Sequence, residues 1–440
     1  MSDRRILIKN GFIISLDPGI GDLPRGDVLI HGDRIERVAP LIEDDGAEVV
    51  DAEGTIVIPG LIDTHLHMWQ QPMRGLGADL WGMNDYISRV YPLRERFRAQ
   101  DMFASTYTCA IEALGNGTTT ALDFCHNVLT EDHAEEALRA HRLTGQRVVF
   151  GYGMVGYADR IERERDDRLA HVSRLHAELG DDPTALVRMG LAPGTLNFST
   201  VKGMQIEVEH GRGLGLPMTI HQNDAGELYK IHDAGLLGPD LLPAHSNNAS
   251  DHELALLARC GCSISFTTEG EFSGGRNMSV VGRADRAGVS PTLGVDGPSF
   301  VAVDMLSQLR FTFRIMHAVE AQHERAEGRW PLAHSPGIPF VTARRVLEYA
   351  TVNAAKALGM ERHIGSLTPG KQADLVLLRI DPYGIAAGDP ANHVVLHSGV
   401  GDIDAVMVAG RFRKRDGRMV DVDVERLRAL SGEIRSRLTS

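Results

Sequence analysis

The chain moves between two hydrophobic rhythms. At its amino end, short apolar runs broken by turn dipeptides read as strands. Ile6, Leu7 and Ile8 lead to Asn10-Gly11 and then Phe12, Ile13 and Ile14. Val28, Leu29 and Ile30 lead to Gly32-Asp33 and then Ile35 and Val38, which is hairpin grammar. The carboxyl end repeats it, with one apolar run over 373–378 and another over 405–408 before Ala409-Gly410. Ends of a domain often lie close together, so these two strand-rich segments are expected to pair. Between about residues 60 and 360, apolar strands alternate with helical stretches such as 134–143 and 253–258. Strands are read at 56–62, 117–123, 147–150, 187–192, 218–220, 241–244, 263–266 and 289–295. Eight such β-α units predict an α/β fold, a (β/α)8 TIM-type barrel. It should span 59–364, with a small β-sandwich domain built from both chain termini, 1–58 and 365–440. A doubly wound open sheet is disfavoured, because no Gly-x-Gly-x-x-Gly follows the first strand.

Two stretches read as surface embellishment. Residues 159–182 are highly charged and helical in pattern, and a solvated face is the simplest reading. Residues 317–337 carry mixed charge with Pro331 and Pro336. Either suits a lid or a subunit contact. Val424, Leu427, Leu430, Ile434 and Leu438 recur at helical spacing and predict a packed terminal helix.

Composition narrows the class. The chain has 440 residues, 43% of them hydrophobic, and 47 glycines, which suits a loop-rich globular enzyme. A formal net charge of -13 argues against a nucleic-acid partner, which calls for a basic patch. Cys109, Cys125, Cys260 and Cys262 form no Cys-x-x-Cys pair and are too sparse for a disulfide framework, so reduced core thiols are expected. The first residues include Arg4 and Arg5 but no long apolar run, so no signal peptide is expected. No stretch approaches the roughly 18 apolar residues of a membrane span. A soluble, cytoplasmic protein without a membrane partner is expected.

Barrel enzymes place their chemistry at the carboxyl ends of the strands. Asp63-Thr64-His65-Leu66-His67 follows the first apolar run, and in an extended strand His65 and His67 point the same way. The fifth strand ends in His221, the sixth in His245 and the eighth in Asp296. One such histidine is weak evidence, since a hydrogen-bonded structural role is commoner. Four histidines and an aspartate at one mouth point to a metal site.

Longer motifs run through nearly the whole chain. They are 59–67, Met73-Arg74-Gly75-Leu76, Gly117-Thr118-Thr119-Thr120, Gly294-Val295-Asp296-Gly297 and 365–376. With them the chain resembles the amidohydrolase superfamily, in particular its triazine hydrolase and guanine deaminase-like (aminohydrolase) branch. The resemblance implies that His65, His67 and His221 bind a divalent metal, with Asp296 as fourth ligand or close neighbour. Such a metal lowers the pKa of bound water from about 15.7 toward about 7. Asp296 would take that proton and pass it to the leaving group, and His245 would stabilise the developing oxyanion. Binuclear relatives carry a lysine at the end of the fourth strand, where this chain has Gly190-Leu191-Ala192-Pro193, so one metal per chain is expected. Zinc is the first choice; Fe2+, Mn2+ or Co2+ suit the same ligands.

Two segments depart from the branch. Deaminases usually carry a glutamate three positions after the fifth-strand histidine; here Asp224 stands there, either as a shorter general acid or as a helix cap, with Glu227 as fallback. After the seventh strand comes Thr267-Thr268-Glu269-Gly270-Glu271-Phe272, in which Glu269 is the candidate substrate contact. Gln70, Arg74 and Trp81, on the loop after the first strand, are the other pocket candidates, with Gln70 as an amide contact. His126, after the second strand, reads more simply as structural. The function expected is hydrolysis of a C–N bond of a small N-heterocycle, releasing ammonia or an amine. Ring opening of a cyclic amide and dechlorination of a triazine are the alternatives. A barrel that kept the fold and lost its chemistry is set aside because all five strand-end residues are intact. By analogy with the branch, a homodimer or higher homo-oligomer is expected.

Overall fold

The computed structural model describes residues 4–80, 82–154, 158–273, 278–329, 341–380 and 389–439. Trp81 therefore lies outside the described residues, as do 330–337 of the second embellishment.

Eight parallel strands are hydrogen-bonded in chain order: β1 (Leu61–Leu66), β2 (Thr118–Cys125), β3 (Arg147–Gly153), β4 (Val187–Ala192), β5 (Met218–Gln222), β6 (Leu241–His245), β7 (Ser263–Phe266) and β8 (Ser290–Leu293). All but a few of their residues are buried, as expected of strands covered on both faces. The sheet closes between its first and last strands. Leu66 and Asp296 form a parallel bridge, the Asp296 N–H donates to the His65 carbonyl at 2.8 Å, and the His67 N–H donates to the Asp296 carbonyl at 3.0 Å. Gly294 allows this approach, since a Cβ there would sit 2.7 Å from the His65 backbone. Below the mouth, the Thr64 hydroxyl lies 2.7 Å from that of Ser265 and 2.8 Å from that of Thr292, so β1, β7 and β8 are joined through the interior.

The terminal segments form one nine-stranded mixed sheet. Its central seam is Thr55–Pro59 paired antiparallel with Leu375–Arg379, so the two ends of the chain meet strand to strand. Ile6, Ile8, Val28, Ile30, Val57, Leu375 and Met407 bury its inner face. One buried ion pair ties this sheet to the barrel: Arg147 on β3 donates from Nε to Asp374 at 2.8 Å and from Nη2 to Gln372 at 3.2 Å.

The charged stretch 159–182 is a barrel helix, Ala158–Leu179, rather than an embellishment. Ile161, Leu169, Val172 and Leu175 are buried along one stripe. Arg165 shares that stripe and is neutralised by buried Glu207 at 2.9 Å. The apolar period was hidden because two of its positions are arginines, Arg165 and Arg168, that bury long stems. Residues from 317 on continue the helix Met305–Ala326. The terminal helix Val424–Thr439 buries Ile434 and Leu438 against the barrel, while Val424 stays exposed. All four cysteines are free thiols, three of them buried.

Candidate metal centre and its cavity

The five strand-end side chains converge. His65 lies on β1 and His67 one residue past its end; His221 is on β5 and His245 ends β6. Asp296 follows β8. His245 and Asp296 have φ of 74° and 77°, a backbone state that costs a non-glycine residue about 1–3 kcal/mol and recurs at functional sites. The donor atoms of His65, His67 and Asp296 lie within 4.8 Å of one another, and so do those of His65, His221 and His245.

The polar groups here are poorly satisfied by the protein. His65 is fully buried, and neither of its ring nitrogens has a hydrogen-bond partner among the described residues. His67 Nε2 faces His221 Nε2 at 3.2 Å and Asp296 Oδ1 at 3.3 Å. His67 Nδ1 donates to the Phe124 carbonyl at 2.8 Å, which leaves the Nε2 lone pair toward the centre. Burial, and then the neighbouring imidazoles of His67 and His221, push His65 well below the usual histidine range and keep it neutral, the form that binds metal. Burial alone would raise the Asp296 carboxyl. The imidazoles of His67, His245 and His65 around it outweigh burial and hold the group well below the carboxylate range. Converging lone pairs, an orphaned buried imidazole and an ionised carboxylate fit a divalent cation bound through nitrogen and oxygen.

Above this floor opens a cavity with aromatic walls. Tyr86, Tyr91, Phe198 and Phe300 line it with His67, His126, His221, His245, Asn223 and Asp296. His126 Nδ1 stands 3.0 Å from His67 Nδ1, and its ring stacks on Tyr91. Burial lowers its basicity well below the usual range, so it enters the cavity neutral. Its place at the end of β2 was the signal for it, though a structural role read as simpler.

The remaining candidates fall elsewhere. Gln70 is buried but does not line the cavity. It donates to the Tyr86 hydroxyl at 2.7 Å and accepts from Ser299 at 2.6 Å, so it braces a wall residue. Arg74 is exposed and pairs with Glu112 at 2.6 Å, outside the cavity. Asp224 is exposed, and the wall beside it is Asn223. Neither does it cap the next helix, whose N-cap is Gly226. Buried Glu227 accepts from the backbone N–H groups of Asn223 and Asp224 at 3.2 and 3.0 Å, which fixes that loop. Glu269 turns to Gln308, 3.2 Å away, and only Gly270 of its segment reaches the cavity. The carboxylate that does approach the centre is Glu271, 3.2 Å from His245 Nδ1. Nothing in the sequence pattern separates it from Glu269 two positions earlier.

A closed barrel with this centre at its strand ends defines a metal-dependent hydrolase of the (β/α)8 type. The amidohydrolase family model matches residues 56–413, and the chain belongs to that family. The 5'-deoxyadenosine deaminase of Methanosarcina acetivorans is 26% identical over 96% of this chain and 95% of its own length. The 5-methylthioadenosine/S-adenosylhomocysteine deaminase of Pyrococcus furiosus is 27% identical over 96% of this chain and 98% of its own. Among solved structures, an adenosine deaminase from Xanthomonas campestris with bound zinc superposes with a TM-score of 0.86 at 20% identity, covering 99% of this chain and 98% of that one. The zinc complex of atrazine chlorohydrolase TrzN from Arthrobacter aurescens gives 0.83 at 20% identity, over 98% of this chain and 100% of that one. At that identity these two likenesses concern the fold.

Proposed function

We propose that this enzyme deaminates an adenine-containing nucleoside of the 5'-deoxyadenosine or methylthioadenosine kind, releasing ammonia. The observation that carries the reading is four imidazoles and one ionised carboxylate converging on the floor of an aromatic-walled cavity. The deaminase relatives, matched over almost their full length, supply the substrate class. His65, His67, His221 and Asp296 are assigned as ligands of one zinc ion per chain. A single metal is supported by the end of β4, Leu191-Ala192-Pro193, which offers no lysine, while Lys202 is exposed on the helix Val201–Gly213. Bound there, the ion supplies a water of lowered pKa.

The chain's own residues do the rest. Asp296 is assigned to take the proton of the attacking water and return it to the departing amine. His245 is assigned to stabilise charge as it develops at the attacked carbon's substituent. Tyr86, Tyr91, Phe198 and Phe300 offer flat apolar surface to a purine and exclude water around it. Asp224, exposed beside Asn223, is left out of this machinery.

The test is ammonia release by zinc-loaded protein from 5'-deoxyadenosine, methylthioadenosine, adenosine, guanine, pterins and triazines. Turnover of the adenine nucleosides above the others is the expected result; silence on all of them with turnover of another ring overturns the substrate assignment. One observation favours a second reading, displacement of halide from a triazine. Asp296 is the only carboxylate among the described residues lining the cavity, and a good leaving group needs less proton donation.

A further inference from the structure

We propose that Glu271 is a positioning residue for His245, holding that ring with hydrogen on Nδ1 and with Nε2 turned to the reacting centre. The inference rests on the function proposed above and assigns a residue to it that neither motif nor resemblance supplied.

Glu271 is 1% exposed and sits on the short helix Thr268–Ser273 that follows β7. Its Oε1 is pinned from the chain side by the Thr267 N–H, which donates to it at 2.9 Å. The same oxygen lies 3.2 Å from His245 Nδ1. An oxygen that accepts the Thr267 N–H accepts toward His245 as well, so Nδ1 donates. His245 Nε2 then lies toward the centre, 4.0 Å from Asp296 Oδ2. The Thr267 hydroxyl stands in the middle of this group, 3.1 Å from His245 Nδ1 and 3.3 Å from both Glu271 Oε1 and Asp296 Oδ2.

Geometry makes the arrangement selective. A ring held only by its Cβ can turn over and exchange Nδ1 for a carbon. The pinned oxygen rewards one orientation alone. Glu271 Oε2 is buried with no hydrogen-bond partner among the described residues, so the side chain relies on the donors at Oε1. A carboxylate behind a histidine that works at a reacting centre is a recurrent device for fixing tautomer and orientation. Here it comes from one of the two segments that depart from the branch pattern.

The test combines steady-state kinetics with 15N NMR of the metal-loaded full chain labelled at histidine, His245 being assigned from a His245→Gln sample. In the parent, His245 is expected to carry hydrogen on Nδ1. In Glu271→Ala, kcat should fall about 10–100-fold while KM and bound metal stay within about twofold, and the fixed Nδ1–H form should be lost. Glu271→Gln, which restores an acceptor oxygen, should recover that form and most of kcat. Glu271→Met, of similar volume, carries the same readouts if the alanine variant does not fold. The inference is overturned if His245 keeps its Nδ1–H form without Glu271, if kcat is unchanged, or if activity falls only in step with lost metal. Should the parent turn over none of the nucleosides, the functional reading fails, while the tautomer measurement still decides the role of Glu271.

Discussion

Replacing Asp296 by asparagine changes one atom and one charge. Asp296 Oδ1 lies 3.3 Å from His67 Nε2 and 3.8 Å from His65 Nε2, and Oδ2 accepts from the Thr267 hydroxyl at 3.3 Å. Asparagine fills the same space and can still accept the Thr267 hydrogen bond. It cannot take a proton from water or hand one on. Loss of a positioned general acid–base costs about 10²–10⁴-fold, or about 2.7–5.4 kcal/mol of transition-state stabilisation at about 1.36 kcal/mol per tenfold. The upper half of that range is expected, because the described residues lining the cavity include no second carboxylate to take over. Asp224→Asn is the matched control. That side chain is exposed and outside the cavity, so its loss should cost about 0.5 kcal/mol or less, under about threefold. The assay is ammonia release from methylthioadenosine by a coupled dehydrogenase, with rates expressed per bound metal measured on the same samples. Asp296→Asn activity above about a tenth of the parent's would refute the proton-transfer role. A hundredfold loss in Asp224→Asn, of the order that removing a general acid causes, would move the acid to the loop after β5.

Three further outcomes follow from the same geometry. His65→Ala removes a ligand shared by both donor triads, so metal per chain by elemental analysis should fall far below the parent's; chelation of the parent should abolish turnover and zinc should restore it. Arg147→Met strands Asp374 in the seam between barrel and terminal sheet, and denaturant melts should show a loss of about 3–5 kcal/mol, against little change if the pair is dispensable. Burial, and then Asp304, raise the Glu269 carboxyl above its ordinary value. The folded state therefore keeps its proton at pH values where the unfolded chain has lost it, and stability is lost as pH rises from about 4.3 to the folded value. Glu269→Gln should accordingly raise the melting temperature at pH 8 and leave it unchanged near pH 3.5, where both states are protonated.

Periodicity and strand-end identity were enough to read the barrel and its centre. Apolar runs of strand length, each followed by a helical stretch, leave few topologies open, and a barrel sends every strand end to one mouth. His65, His67, His221, His245 and Asp296 were legible because each lies within three residues of a strand end. The terminal sheet was legible for a similar reason, since hairpin grammar is local.

What lay beyond the sequence was decided by distances between segments remote along the chain. Whether Gln70 meets a substrate or braces Tyr86 depends on Ser299, more than two hundred residues later. Whether Glu269 or Glu271 faces His245 depends on how a six-residue helix is rotated on β7. Arg74 is held outside the cavity by Glu112, 38 residues later. Local patterning determines which elements form and which ends carry ligands, because backbone period and strand direction are local properties. Tertiary packing alone decides which way a loop or a short helix presents its polar side chains, because that choice is made by partners the local pattern does not contain.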